Sequence, residues 1–255
     1  MSYQAYLWIF FGFSFVEAII DGRAGFAEKF IRWPTNIGLM LVGTSMSVIL
    51  PSALVLTTLL IGNSWHGLFE NSGLSFWPQT IFWAIITTFL YYWLHRASHA
   101  WPLLWRFHKV HHSDTKLDAS TGFRHHPIEL VISYLMLLIP VIVLEPKPEV
   151  ILFVSLIEGL GAMYSHSNLQ LPAGIDKLVS LVITTPRIHK LHHSSFQPET
   201  DTNYGGIFMV WDYVFRTYLG FSKRPKEDFR FGLDDVPKSE AEDLVAVLVL
   251  PFRGK

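Results

Sequence analysis

Apolar and polar residues follow one another along this chain in long blocks. Five stretches approach the roughly 20 mostly apolar residues that a membrane-crossing helix needs: residues 3–20, 37–61, 77–94, 128–144 and 150–164. The first carries one acid, Glu17, the second and third carry no charge, and the short fifth holds Glu158. Pro51 is expected to kink the second, which membrane bundles tolerate. Glu145-Pro146-Lys147-Pro148 separates the last two, which form either two spans or a hairpin that reaches midway. No basic segment precedes the first stretch and no small-residue cleavage site follows it, so a cleaved signal peptide is not expected. The alternative, buried core helices of a soluble protein, is hard to reconcile with an uncharged run of 25 residues at 37–61.

The polar connections predict an orientation. Residues 21–36 hold Arg23, Lys29 and Arg32, residues 62–76 hold no Lys or Arg, and residues 95–127 hold Arg96, Arg106, Lys109, Lys116 and Arg124. The positive-inside rule puts the first and third connections in the cytoplasm. If the last two stretches return the chain, everything after His166, with Lys177, Arg187 and Lys190, joins them. The expectation is one all-α integral membrane domain over residues 1–255. It is a bundle of about four spans plus a fifth span or half-span hairpin, under a cytoplasmic histidine-rich helical cap from 95–127 and 166–235. Residues 221–242 read as solvated surface. Residues 244–252 read as a short apolar segment packed on the domain or at the interface.

Composition narrows the chemistry. Of the side chains 50% are apolar and only 16% charged, against about 25% charged in average soluble domains. The net charge of -1 offers no basic stripe, which excludes a nucleic-acid partner. Cysteine is absent, which removes disulfides, iron–sulfur clusters, thiolate zinc sites and cysteine nucleophiles. A transition metal would need nitrogen or oxygen ligands, and the chain carries 12 His.

Eight of those 12 fall in three boxes: His95-Arg-Ala-Ser-His99, His108-Lys-Val-His111-His112 and His189-Lys-Leu-His192-His193. Residues three or four apart share a helix face, so each box is expected to aim two or three imidazoles at one point. The first box continues the third apolar stretch. Pro102 ends that helix and suits the first turn of the next, which carries His108. Thr185-Pro186 has the form of an N-cap and first helical position before His189. Eight imidazoles exceed the needs of one metal, and two metals with four or five ligands each fit the number better. Imidazole suits iron, zinc, copper and nickel, so residue type alone does not name the metal. The competing reading is a set of interfacial or pH-titrating histidines.

With their flanks, the boxes resemble the fatty acid hydroxylase superfamily, in the style of its sterol desaturase and sterol C4-methyl oxidase branches. The flanks are Thr121-Gly-Phe-Arg-His-His-Pro127-Ile-Glu129, His166-Ser-Asn168, Thr185-Pro-Arg187-Ile-His189, Asn203-Tyr-Gly205 and Trp211-Asp212-Tyr-Val-Phe215-Arg-Thr217. The likeness covers roughly residues 77–219. It implies a membrane monooxygenase with two non-haem Fe ions that uses O2 to hydroxylate or desaturate a sterol, fatty acyl or related lipid. It also implies a separate electron-donor protein, cytochrome b5-like or ferredoxin-like, since no flavin or nicotinamide fingerprint is present.

Carried over position by position, His95, His99, His108, His111, His112, His189, His192 and His193 match the metal-binding boxes. His166 matches a further histidine between the second and third boxes, and ends the fifth apolar stretch. His126 matches the histidine of a His-Pro motif, as a ligand or with substrate or supporting duty. His125 is a weaker candidate, and His66 reads as interfacial on the opposite side. Arg216 departs from the family, which usually has glycine there.

A centre ligated only by neutral histidines stays strongly cationic, so nearby acids are expected to accept the free ring N–H groups. Asp114, Asp118, Glu158, Asp201 and Asp212 are the candidates, each with surface or capping duty as the alternative. Glu158 lies two turns from His166 on the same helix face. Tyr91, Tyr92, Trp93, Trp101 and Trp105 read first as an interfacial belt, with a substrate tunnel as the alternative. Arg106, Lys109, Arg187 and Lys190 suit an acidic electron donor or lipid head groups, and positive-inside topology explains them equally. Two other functions stand against the oxygenase. A membrane zinc hydrolase would need a positioned general base such as His-Glu-x-x-His, which is missing. A metal transporter or sensor would place ionisable residues along its spans, whereas these histidines cluster beyond the span ends.

Overall fold

The computed structural model describes residues 3–61, 66–220 and 229–253. The side chains of Arg23 and Pro51, and residues 221–228, lie outside the description. Described residues form helices joined by turns, with two isolated antiparallel bridges, Ile183 to Phe208 and Ser194 to Phe231.

The first helix, α1, runs Tyr3–Ile61 without a break. Where charge and pattern suggest a connection at 21–36, the backbone stays helical. Even so, Glu17 and Lys29 come within 3.8 Å of each other. Twelve residues of straight helix would separate them by about 18 Å along the axis, so α1 bends between them. After the short α2 (Leu68–Asn71) come α3 (Phe76–Ala100), α4 (Pro102–His112), α5 (Pro127–Leu144) and α6 (Pro148–His166). The cap adds α7 (Ala173–Val179), α8 (Pro186–His192), α9 (Gln197–Thr200), α10 (Val210–Val214), α11 (Lys238–Ala241) and α12 (Leu244–Val249).

Among the described residues, α5 and α6 are the two helices long and apolar enough to cross a membrane. With 18 and 19 residues each rises about 27–28 Å, close to a hydrocarbon core. The two are joined end to end as a helical hairpin of that length. Its turn is fixed at the far end of the bundle: Glu145, at φ 50, caps α5, and its carboxylate accepts the Gly67 N–H at 2.6 Å. The Gln79 side-chain carbonyl takes the Lys147 N–H at 3.2 Å. At the same end Phe69, Trp83, Val141, Val150, Ile151 and Val154 form a dry apolar core. His66 is exposed there and pairs with Glu70.

Three of the basic residues counted for orientation, Lys29, Arg32 and Arg124, turn out to be structural. Lys29 and Arg32 are both buried. Arg32 forks onto Asp114 (Nε to Oδ1 2.7 Å, Nη2 to Oδ2 2.8 Å) and reaches Asp118 at 3.1 Å. Asn36 and Thr121 also donate to Asp114, at 3.0 and 2.7 Å. Arg124, fully enclosed, donates to Val110 O, Ser113 Oγ, Asn36 Oδ1 and Ala241 O. Burial opposes charge on Asp114, but the Arg32 guanidinium holds its carboxyl well below the usual carboxylate range. This network ties α1 to the end of α4 and to the 3-10 turn Ala119–Phe123. Glu17 ties the same turn from the other side, accepting from Ala119 N and Asn168 N. The segment at 244–252 packs on the domain through Val247 and Leu250, which join Leu39 and Val110.

Arg216 adopts φ 58, a left-handed conformation that costs a side-chain-bearing residue about 1–2 kcal/mol. Glycine avoids this cost, which explains why the motif favours it. Arg216→Gly is expected to stabilise the protein by about 1 kcal/mol, read as a higher unfolding temperature in detergent. Arg32→Leu leaves Asp114 buried without its cation and is expected to cost about 3–5 kcal/mol. Faster hydrogen exchange at residues 114–124 would register that loss.

Candidate metal centre

Four helices bring histidines to one place. His95 and His99 stand one turn apart at the end of α3. The backbone turns at Trp101, and Pro102 opens α4, which carries His108, His111 and His112. Pro186 opens α8 with Thr185 as its N-cap residue, although the Thr185 side chain makes no capping bond. This helix carries His189 and His192, with His193 just past its end. His166 is the last residue of α6.

The rings sort into two groups. His95, His99, His108, His112 and His192 converge in one, and His111, His166, His189 and His193 in the other. Within each group the ligand-type nitrogens all lie within 4.8 Å of one another. The groups adjoin, the His112 and His193 rings stacking at 4.5 Å between centroids. Each His-x2-His-His box is therefore split, where its spacing suggested a single target. Residues i and i+4 of α4, His108 and His112, serve the first group, while His111 turns to the second. In α8 the pair His189 and His193 serves the second group and His192 the first. Adjacent helical positions diverge by about 100°. The ring planes of His111 and His112 stand at 88°, and those of His192 and His193 at 89°.

The outer nitrogens settle which atoms face inward. His95 Nδ1 lies 2.8 Å from Tyr204 O, His192 Nδ1 2.8 Å from Thr202 O, and His166 Nδ1 2.8 Å from Ala162 O. His108 Nδ1 lies 2.7 Å from Glu129 Oε1, and His99 Nδ1 3.2 Å from Asp201 Oδ1. Each of these oxygens can only accept, so Nδ1 carries the proton and a neutral ring offers its Nε2 lone pair. The Nε2 atoms of His95, His99 and His192 are buried without a partner. His166 Nε2 faces the Nε2 atoms of His111, His193 and His189 at 3.1, 3.1 and 2.9 Å. One ring N–H can satisfy the His166 lone pair but not the whole cluster, whereas a cation placed among the four nitrogens would engage them all. Ligand nitrogens at about 2.0–2.1 Å from one ion would be spaced by roughly this much. The donor set fits two metal ions, one with five imidazoles and one with four.

Burial first, and then the neighbouring imidazoles, push His95, His99, His111, His112, His189, His192 and His193 well below the usual histidine range. The rings are neutral, the form that binds metal.

Of the candidate supporting acids, Asp201 alone contacts a ring of the two groups. Asp114 and Asp118 belong to the Arg32 network. Glu158 accepts from Thr87 Oγ1 at 2.6 Å and touches no histidine. Asp212 acts at one remove: it accepts the N–H groups of Tyr204 and Gly205 and the Thr217 hydroxyl, holding the turn whose carbonyl takes His95. That turn is tight, since a Cβ on Gly205 would meet Asp212 Oδ2 at 2.8 Å.

Glu129 was not among the candidates. Its carboxylate holds His108 and also meets His125 Nδ1 at 3.3 Å, while His125 stacks on His111 at 4.5 Å. Its place four residues after His125, in the first turn of α5, was the available signal. The grouping of His108, His125 and Glu129 supports the first metal group, since it uses the outer nitrogen of His108. His126 lies outside both groups. Its Nδ1 accepts the Ile128 N–H at 3.1 Å, Nε2 faces Leu248 O at 3.2 Å, and the ring packs on Phe107 and Phe252. Capping α5 uses the nitrogen a ligand would need. Among the candidate docking cations, Lys109 meets Asp235, Arg187 meets Asp176 and Lys190 meets Asn168.

The sequence model described as fatty acid hydroxylase matches residues 80–217, more than half of the chain. Ornithine lipid hydroxylase of Rhizobium tropici is 28% identical over 187 residues, covering 71% of this chain and 54% of that protein. Alkylglycerol monooxygenase of Danio rerio is 32% identical over 128 residues, 50% of this chain and 28% of that protein. A very-long-chain aldehyde decarbonylase of Oryza sativa subsp. indica is 28% identical over 158 residues, 58% of this chain and 25% of that protein. The chain thus matches about half or less of the length of these relatives. No solved structure gives a significant match.

In the unfolded chain these histidines take up protons near pH 6.5. In the folded, metal-free protein they do so only well below it. The unfolded state therefore binds more protons below about pH 6.5, so stability is full above that pH and falls beneath it. Chelator-treated protein is expected to show a steadily falling unfolding temperature from about pH 6.5 to 5; a flat profile would contradict the burial of the rings.

Proposed function

This chain belongs to the fatty acid hydroxylase family, and on that premise we propose a multi-pass membrane oxidoreductase that uses two non-haem irons and O2 to oxidise a lipid C–H bond. The reaction is hydroxylation or desaturation. The observation that carries the reading is the convergence of nine inward-facing imidazoles in groups of five and four. The named relatives, an ornithine lipid hydroxylase and an alkylglycerol monooxygenase, support a lipid as the substrate.

Bound in the two groups, a pair of irons would supply the O2 and redox chemistry that an unreactive C–H bond requires. The chain's own residues hold and orient. His95, His99, His108, His112 and His192 would hold one ion, and His111, His166, His189 and His193 the other. Glu129 and Asp201 fix the tautomers of His108 and His99 and add negative charge beside a cationic centre. His166 ends a membrane-length helix, which supports a centre beside the bilayer that an apolar substrate reaches without crossing water. On the histidine side, Arg106 of α4 and Lys116 of the segment after it are exposed, which supports a cytoplasmic catalytic face. Electrons come from a separate donor protein.

Protein purified anaerobically in detergent is expected to carry two irons per chain. Cells expressing it should accumulate an oxygenated or newly unsaturated lipid. His111→Ala, which removes one of only four rings in its group, should abolish the product. Folded protein that is free of metal and equally active as His111→Ala would refute the reading.

A further inference from the structure

Glu158 is an acid inside a membrane-length helix, and the metal centre does not use it. Ionisable residues at such depth are costly and mark functional sites. Its surroundings are ordered in register along two facing helices. On α3, Trp83, Thr87, Tyr91, His95 and His99 recur every fourth residue; on α6, Val154, Glu158, Ala162 and His166 do the same. Each stripe starts in the dry core, at Trp83 and Val154, and ends at the metal-binding histidines. Between these ends Thr87 donates to Glu158 Oε1 at 2.6 Å.

Glu158 as a residue is only partly enclosed, and no described residue occupies its second carboxylate oxygen. Tyr91, one turn above Thr87, is within electrostatic reach of both Glu158 and Glu129. Its ring packs on His95 at 5.4 Å between centroids, yet 38% of its surface stays open. Gly206 leaves it room, since a Cβ there would lie 2.9 Å from the Tyr91 ring. The partly exposed Tyr91 and Glu158 thus stand in register between the centre and the apolar core, on the facing helices α3 and α6.

We infer that Glu158, held by Thr87, is the recognition site for a hydrogen-bond donor on the lipid, a hydroxyl or amide N–H. Thr87 fills one carboxylate oxygen and leaves the other without a described partner, free to accept from a neutral donor and to repel carboxylate or phosphate. Eight residues of α6 separate Glu158 from His166, a rise of about 12 Å. A lipid anchored there presents a carbon roughly that far from its donor group to the metal side. The position oxidised is therefore measured from the donor rather than from the chain end. This inference rests on the lipid-oxidation reading only in taking the bound lipid to be the substrate.

The test uses binding, without turnover. The full chain in nanodiscs is titrated with hexadecan-1-ol, hexadecanamide, 1-methoxyhexadecane and palmitate, and half-saturation is read from the shift in unfolding temperature. The wild type is expected to bind the alcohol or the amide at least about tenfold more tightly than the ether or palmitate. Glu158→Leu should erase that preference. Glu158→Gln, nearly isosteric, should shrink it, because its amide can present a donor to the ligand. Thr87→Val should weaken it while keeping the carboxyl. Equal binding of alcohol, amide and ether by the wild type, an unchanged preference in Glu158→Gln and Glu158→Leu, or no binding of either donor lipid would overturn the inference. Iron per chain, measured on the same samples, reports separately on the oxygenase reading.

Discussion

Lone pairs facing lone pairs are the constraint on which this structure depends. Neutral imidazoles from α3, α4, α6 and α8 point Nε2 at one another in a space closed to water, and His166 alone meets three such nitrogens at about 3 Å. Their own protons satisfy them only in part: Nδ1 already carries the proton on His166, His95 and His192, and the single His166 Nε2 lone pair cannot take an N–H from all three rings that face it. The fold holds the rings against this repulsion through oxygen acceptors on their outer edges: Tyr204, Thr202 and Ala162 carbonyls and the Glu129 and Asp201 carboxylates. A multivalent cation is the partner that turns this crowding into attraction.

Much of the surrounding structure serves that arrangement at one remove. Asp212 gathers Tyr204, Gly205 and Thr217, and so places the carbonyl behind His95. The buried network of Arg32, Asp114, Asn36 and Arg124 clamps the segment that follows His112. Glu17 secures the turn at 119–123 and the segment after His166. Charges that a topological reading assigns to cytoplasmic loops are thus spent inside the protein. Their burial is tolerated because Arg32 and Asp114 meet in a two-point fork and further bonds to Asp118 and Lys116 O and from Asn36 and Thr121 surround the pair.

The spacing of the three boxes made the centre legible in the sequence, as did Pro102 and Pro186, which start α4 and α8 where first-position prolines belong. Apolar length marked α5 and α6. The splitting of each His-x2-His-His box was not legible, because spacing says which rings share a face but not that two faces are both occupied. Asp114 and Asp118 resembled supporting acids through their nearness in sequence to His112, yet their partner Arg32 lies some eighty residues earlier. Glu129 was obscured by its place in an apolar helix. The continuity of α1 through 21–36 was masked by charges that look like a loop until their buried partners are known.

The division of the two double-histidine boxes has a consequence for assembly. Because α4 and α8 each place rings in both groups, neither group is complete unless both helices are seated. Seating them for one ion pre-arranges most of the donors for the other, and the ordering cost is met once. Occupancy should accordingly be all-or-none: when metal is scarce, a population would divide into empty and doubly filled chains, with few carrying a single ion.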